Sequence, residues 1–245
     1  MAKKGQKNAL RISLSNFFIT DISTLTLYEA KYIMQNEAKI QLSADETELV
    51  NNTEWILTKH RVIKKVYALF GEISDIMKKE FMYCENLLPL NLRHRTAKIS
   101  RGDNYKLLPY VILDYPNYFE KNNILAIRTM FWWGNFFSIT LHLSGAIKKK
   151  FIIDSPGLLE YLKKKDFSIC VNREEWQHHF DEENYLPASA VSHVKYRQIL
   201  EQPFFKIAKQ LPLKQWDKAY DFITENFKEI LKLVDISYQG GKKDP

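Results

Sequence analysis

The chain predicts an α+β fold, an antiparallel β meander with helices before and after it, on three observations. A helical period runs without a break through residues 54–84. The middle of the chain then carries three short, β-branched and aromatic segments joined by links too short for a crossover. Beyond them, apolar residues return to three- and four-residue spacing as far as residue 235.

A short apolar segment, Leu14 to Ile22, follows the basic N-terminus. Ser23 or Thr24 can cap a helix running to Asn36, and Ser43-Ala44-Asp45-Glu46 has the Ser-x-x-Glu pattern of a capping box, in which two orphan amides are satisfied reciprocally. In the long helix, Val62, Val66, Phe70, Ile73, Met77 and Phe81 recur on one face while most of the lysines fall outside that row. Such a stripe reads as core packing.

Tyr110 to Asp114, Ile124 to Trp132 and Phe136 to Ser144 are predicted strands, the first stopped by Pro116 and Asn117 and the second announced by Asn122-Asn123. Gly134-Asn135 reads as a two-residue turn of the II′ kind, with Gly134 supplying positive φ. Parallel strands would require a dozen or more residues between them, so the three form an antiparallel meander. Ser155-Pro156 then opens a helix to Lys165, 167–171 is a strand, and 173–180 is a short helix with acidic residues in its first turn. Further helices are predicted at 190–201, 203–210 and 213–235. No repeat and no Pro/Gly/Ser-rich linker divides the chain, so a single domain over 1–245 is expected, with disordered tails at 1–11 and 240–245.

At 245 residues, with 45% hydrophobic residues and only 8 Gly and 8 Pro, the chain can build a core without disulfide or metal staples and is neither collagenous nor turn-dense. The net charge of +7 is concentrated at the ends: residues 1–11 contribute +4 and 240–245 contribute +1, leaving +2 for the body. A folded nucleic-acid reader would carry its charge on one face of the body. Lys148 to Lys150 and Lys163 to Lys165, joined by Arg93-His94-Arg95, are the runs that would build such a face; otherwise they form a solvated surface. Cys84 and Cys170 are far apart and have no metal-ligand spacing, which suits a reducing cytoplasm and no disulfide-linked partner. No signal peptide is read, and Phe131 to Ile147, broken by Gly134, Asn135 and His142, is not a membrane span.

Four constellations could carry chemistry. With Trp133 facing Phe136 across the hairpin, Trp132, Met130, Arg128 and Ala126 share an apolar face with Phe137, Ile139, Leu141 and Leu143. Arg128 is then a guanidinium on a core face and needs a partner. Asp114 on the preceding strand is the candidate, either as a structural ion pair or as the floor of an anion pocket. A slip of one residue would reverse every facing. His142, on the opposite face, has the pKa of a general base, or simply bonds to a neighbour. Glu174, Glu175, His178, His179 and Asp181 form a cluster in which Glu174 with His178, and Glu175 with His179, are i,i+4 carboxylate–imidazole pairs on the predicted helix. The four paired residues are weak metal candidates, since three or four ligands are required and no His-Glu-x-x-His or Cys-x-x-Cys supplies the rest; no metal or cofactor is assigned. Finally, Arg101 to Pro109 concentrates charge and aromatics in a connector, where function tends to sit. Walker, Gly-x-Gly-x-x-Gly and Gly-x-Ser-x-Gly patterns are lacking, which argues against P-loop, Rossmann and ordinary α/β-hydrolase enzymes.

The run from Ser100 to Leu113, with Ala126-Ile-Arg-Thr-Met-Phe-Trp-Trp-Gly134, resembles an uncharacterised family of bacterial proteins. Arg101-Gly102 followed by Tyr105-Lys106-x-Leu108-Pro109 is similar to the Arg-Gly-Tyr-Lys-x-Leu-Pro run of the YktB-like family, departing by the inserted Asp103-Asn104 and by Tyr110 in place of His. The resemblance implies an α+β fold and a bacterial cytoplasmic setting, and carries over no catalytic residue.

The sequence thus leads to the expectation of a soluble domain binding a small anionic ligand or a partner in a cleft beside the meander, through Arg101, Tyr105, Arg128, Trp132 and Trp133. The alternatives are a metal-assisted hydrolase built on His178 and His179, and a nucleic-acid-binding protein using the lysine runs and the basic tail.

Overall fold

A computed structural model describes residues 41–84, 96–151 and 156–240. The expected helix at 24–36, both tails beyond these limits, Arg93-His94-Arg95 and the Ser155 cap lie outside them. The chain divides into two units, Met1–Ile56 and Leu57–Pro245. In the first, helix α1 (Ala44–Asn51) opens on the expected capping box: Glu46 N donates to Ser43 Oγ (3.2 Å) and Ser43 N donates to Glu46 Oε2 (2.7 Å). Helix α2 (Thr53–Cys84) begins there and runs on as the long helix expected from the sequence.

The second unit is built on one antiparallel sheet of seven strands: β1 (Lys98–Tyr105), β2 (Leu108–Glu120), β3 (Asn123–Trp132), β4 (Phe136–Ser144), β5 (Ser168–Cys170), β6 (Tyr185–Pro187) and β7 (Phe204–Pro212). Their order across the sheet is β1-β2-β3-β4-β7-β5-β6. The α+β class and the meander are therefore as expected, with helices before and after the β2–β4 strands. Helices α3 (Gly145–Phe151), α4 (Pro156–Lys164), α5 (His193–Glu201) and α6 (Ala219–Gly240) complete the unit. No helix among the described residues is long and apolar enough to cross a membrane.

One sheet face carries the main core. Val111 and Leu113 of β2, Leu125, Ile127 and Phe131 of β3, and Phe137, Ile139, Leu141 and Leu143 of β4 are buried there. They belong to one cluster with Val66, Phe70, Ile73, Met77 and Phe81 of α2 and with Ile223, Phe227 and Ile230 of α6. Among the described residues, the opposite face is not packed by a helix of the main core. It is crossed by the irregular segment 171–184, which we call the strap.

Four local expectations are corrected. Trp132, not Trp133, faces Phe136, so the β3–β4 loop has three residues, Trp133 to Asn135. The Trp133 amide leaves the hairpin ladder and donates to Pro109 O (3.0 Å), while Gly134 takes φ +74°. That single-residue slip reverses the facing: Arg128 pairs with Thr140, and its neighbours Met130 and Ala126 with Ser138 and His142. Pro116 does not stop β2, which runs on to Glu120, because the last β1–β2 pair is Lys98–Asp114 and the β2–β3 register shifts between Asp114 and Asn117. Proline is tolerated at such an irregularity, where its missing amide costs no ladder bond.

The third correction concerns 203–210, which is strand β7 and not a helix. Its Ala, Lys and Gln favour helix, but the segment lies between β4 and β5 in the sheet, buries Phe205, Ile207 and Leu211 in the main core, and so follows a period of two. The fourth is the short helix expected at 173–180, where the strap has only a turn at Glu175 and Trp176. In a helix His179 N would donate to Glu175 O. Instead His179 N donates to Tyr105 Oη (3.0 Å), and Glu175 O accepts from Lys206 Nζ (2.8 Å). Tertiary partners have replaced the helical bonds.

Candidate ligand-binding site

The residues expected to bind a ligand are distributed over three places. Arg101, on β1, is exposed and lines a small polar recess of about 210 Å³ with Lys59, His60 and Tyr110. Part of its charge is already compensated, since Lys59 Nζ lies 3.5 Å from Asp103 Oδ1. Tyr105, Arg128 and Trp132 meet beneath the strap. Trp133 is on the far side of the sheet, edge-on to Phe131 at 6.0 Å.

Under the strap, Arg128 is held side-on by Asp114 directly across the β2–β3 ladder, with Nε to Oδ1 at 2.8 Å and Nη2 to Oδ2 at 2.9 Å. The third guanidinium contact is Nη1 to His178 Nε2, at 3.2 Å. A guanidinium only donates, so Nε2 is the acceptor and the imidazole is neutral. Burial, with Arg128 beside it, holds the His178 pKa well below the ordinary histidine value, which agrees with that tautomer. Trp176 and Phe119 flank the guanidinium at 5.8 and 5.7 Å.

His142, placed by the slip on the same face as Arg128, bonds through Nε2 to Glu175 Oε1 at 2.7 Å. Burial lowers its pKa against the pull of Glu175, so the imidazole donates to the carboxylate as a neutral ring. Next to it in the ladder is Lys206, fully buried, whose ammonium donates to the Glu175 and Gln177 carbonyls (2.8 and 2.7 Å). Burial pushes Lys206 down to about 8. Tyr105 Oη accepts from the His178 and His179 amides (2.7 and 3.0 Å), and Trp132 Nε1 donates to Tyr105 O (3.2 Å). Every strong donor here has an internal acceptor. The arrangement fastens the strap to the sheet.

The four metal candidates do not converge. Glu174 accepts from Gln177 Nε2, Glu175 is taken by His142, and His178 by Arg128. His179 is turned toward Asp181, whose Oδ2 lies 2.9 Å from Nδ1. Nor are the lysine runs one free basic face. Lys148 is buried, with its ammonium on the Leu200 and Gln202 carbonyls. Lys163 and Lys165 pair with Glu160 and Glu229.

A cavity suited to a small molecule lies on the helix side of the sheet, at the loop end of the β3–β4 hairpin. It has a volume of about 460 Å³ and is lined by Val62, Lys65, Phe131, Trp133, Gly134, Leu213 and Trp216. Its walls follow from the three-residue loop, which takes Trp133 out of the ladder. Opposite, the turn of 3₁₀ helix at Leu213–Lys218, set by Pro212 at the end of β7, brings Trp216 within 5.1 Å of Phe137 and 5.9 Å of Phe131, both edge-on. On the α2 side, Val62 belongs to the apolar stripe and Lys65 lies just off it. Sequence reasoning found Trp133 but not its partners. Trp216 falls within the helix expected at 213–235, and Lys65 among the lysines outside the apolar row of the long helix.

The chain matches no protein-family model, no curated protein and no solved structure.

Proposed function

We propose that the protein binds a small amphiphilic anion, an aromatic or short aliphatic body carrying one acidic group, in the cavity between Trp133 and Trp216. The observation that carries this reading is the cavity itself: about 460 Å³ with aromatic walls and one cationic side chain, Lys65. Ligand cavities typically span roughly 300–1,000 Å³, mostly apolar with a few polar groups to fix orientation. Two indole rings facing one space offer stacking surface for a flat body. Lys65 is exposed, pairs with no carboxylate among the described residues, and can meet an acidic group at the margin. The reading keeps the expected small anion beside the meander and moves it from Arg128 to Lys65. It carries with it a bacterial cytoplasmic setting, to which two cysteines without disulfide spacing are suited.

The test uses the tryptophans as reporters. A panel of small aromatic and aliphatic acids is titrated while indole fluorescence and melting temperature are followed. At least one acid is expected to quench or shift emission saturably and raise the melting temperature, while its neutral amide binds less tightly. Lys65→Met is expected to remove the preference for the acid, and Trp216→Ala to remove binding. A panel that yields no saturable response overturns the reading.

A further inference from the structure

His179, Asp181 and Glu183 bring one imidazole nitrogen and two carboxylate oxygens to within 4.8 Å of one another, at the end of the strap just before β6. Asp181 and Glu183 are exposed, and exposed acids alone make no site. His179 is the independent observation. It is 4% exposed, and its Nδ1 is fully buried with no hydrogen-bond partner. That nitrogen is turned into the carboxylates, 2.9 Å from Asp181 Oδ2 and 4.0 Å from Glu183 Oε1, with the nearer oxygen outside hydrogen-bonding alignment. A buried polar atom without a partner costs on the order of 1–3 kcal/mol, so an atom placed this way calls for an explanation.

We infer that His179, Asp181 and Glu183 form a binding site for a divalent transition-metal ion, of which zinc is the best match. A tetrahedral ion with bonds of about 2.1 Å holds its donors about 3.4 Å apart, and 2.9 and 4.0 Å bracket that spacing. One nitrogen with two oxygens favours zinc over calcium or magnesium, which prefer all-oxygen shells. Three protein ligands leave a fourth position to water, the pattern of an open site. The turn that carries the ligands is already fixed, because Asp181 O accepts from the Asn184 and Tyr185 amides and Asn184 Nδ2 donates to His179 O.

The geometry also names a competitor. Lys106, at the tip of the β1–β2 hairpin, places Nζ 3.1 Å from the same Asp181 Oδ2. A metal ion must take that oxygen from the ammonium, so zinc uptake releases Lys106 from the strap. A merely structural ion pair gives the opposite expectation for Lys106, which makes the proposal testable by more than loss of function.

The experiment is isothermal titration of the chelator-stripped full chain with zinc chloride, repeated with cobalt(II) followed by visible absorption. One equivalent is expected to bind, and cobalt is expected to show the intense visible bands of a four-coordinate site. Asp181→Asn and Glu183→Gln change exposed side chains and are expected to leave the melting temperature near that of the parent. Each is expected to weaken zinc by more than about tenfold, the low end of what even an outer-sphere partner contributes. His179→Ala is expected to abolish binding. Lys106→Ala is expected to tighten it several-fold. Absence of a saturable 1:1 event overturns the proposal, and so does zinc binding that Asp181→Asn and Glu183→Gln leave unchanged. Lys106→Ala weakening zinc would equally overturn it.

Discussion

Arg128 and Asp114 sit directly opposite each other on β3 and β2 and meet through two parallel hydrogen bonds of 2.8 and 2.9 Å. The aspartate is 4% exposed, and the arginine side chain retains 16% of its surface. Removing the cation leaves a nearly dry carboxylate with no counter-charge, which typically costs about 3–5 kcal/mol. Arg128→Met is therefore expected to destabilise the fold by about 3 kcal/mol, the low end because Arg128 is partly wet, and to leave acid binding near Trp133 unchanged. The double variant Arg128→Met/Asp114→Leu is expected to recover most of the loss. Urea denaturation of the three proteins checks this; a single variant as stable as the parent contradicts it.

Lys206 and the strap give a second expectation. Lys206 Nζ donates to the carbonyls of both Glu175 and Gln177 and so ties two points of the strap to β7. Lys206→Met keeps the stem's packing and removes both bonds. Amide exchange across 172–180 is expected to accelerate, and trypsin is expected to cut after the exposed Arg173 faster than in the parent. The β3–β4 ladder is expected to keep its protection. Uniform acceleration across the sheet would mean that Lys206 supports the whole unit and not the strap alone.

How far these features could be read from the sequence depended on whether the partners were local. Helix α2 was legible because Val66, Phe70, Ile73, Met77 and Phe81 all bury one face at a 3.6-residue period. The Arg128–Asp114 pair was legible because adjacent strands of a meander bring such residues together. The face they occupy was not, since Gly134-Asn135 mimics a two-residue turn while the β3–β4 pairing ends at Trp132–Phe136 and Trp133 joins the loop, its amide continuing the β2–β3 bonding to Pro109 O. Strand β7 was missed because its neighbours β4 and β5 are distant in sequence, and its Ala, Lys and Gln carry helical propensity. Strand β1 was read as a connector because, as an edge strand, it has no fully buried residue. The strap could not be read at all: its backbone partners, Tyr105 and Lys206, come from opposite ends of the sheet sequence.

Titration should show the buried cluster. Burial lowers the His142 pKa in the fold, so between that value and about 6.5 the unfolded chain binds the extra proton. Stability therefore falls as pH drops below about 6.5, with a slope of up to about 1.4 kcal/mol per pH unit for this one proton. Lys206, at about 8 in the fold against its ordinary 10.5, loses its proton first in the native state. Its contribution consequently rises as pH passes 8. The carboxylates Glu175 and Glu229, both lowered by their partners, weaken the fold only below about 4.5, which separates them from His142. Midpoints of urea unfolding at pH 5.0, 6.5, 7.5 and 8.5 in a chelating buffer should rise throughout. His142→Gln should lessen the slope from 5.0 to 6.5 without abolishing it, because burial lowers His178 and His179 as well, and a flat parent profile there contradicts the assignment.

Gly145 fixes the turn from β4 into α3. It adopts φ +62°, and a Cβ there would run into the Asn122 carbonyl. Asn123 Oδ1 accepts from Ala146 N (2.8 Å) beside it, satisfying a first-turn amide of α3. Gly145→Ala is expected to cost more than about 1 kcal/mol, since it combines an unfavourable φ with a backbone clash. Asn123→Ala, which removes only the cap, is expected to cost about 1 kcal/mol. Thermal unfolding orders the two, and an alanine at 145 that costs less than the lost cap would contradict the close approach.

Tyr105 and Trp133 were expected to serve one ligand, and the fold assigns them to opposite faces with opposite consequences. The Tyr105 hydroxyl is the acceptor for two strap amides, His178 and His179, and donates to Gln177 Oε1 at 3.3 Å. Tyr105→Phe keeps the ring against Trp132 and removes all three bonds. Two half-buried amides then lose their acceptor, at about 1–3 kcal/mol apiece before water compensates. The variant is expected to lose about 2 kcal/mol in stability and to bind the small acid as tightly as the parent. Trp133→Ala removes a wall of the cavity, so it is expected to weaken the acid by at least an order of magnitude while the strap keeps its exchange protection. Measuring affinity and amide exchange on both variants separates the two roles. If Tyr105→Phe weakened the acid as much as Trp133→Ala did, the binding site would have to include the strap face, and the division of labour between the two faces would fall.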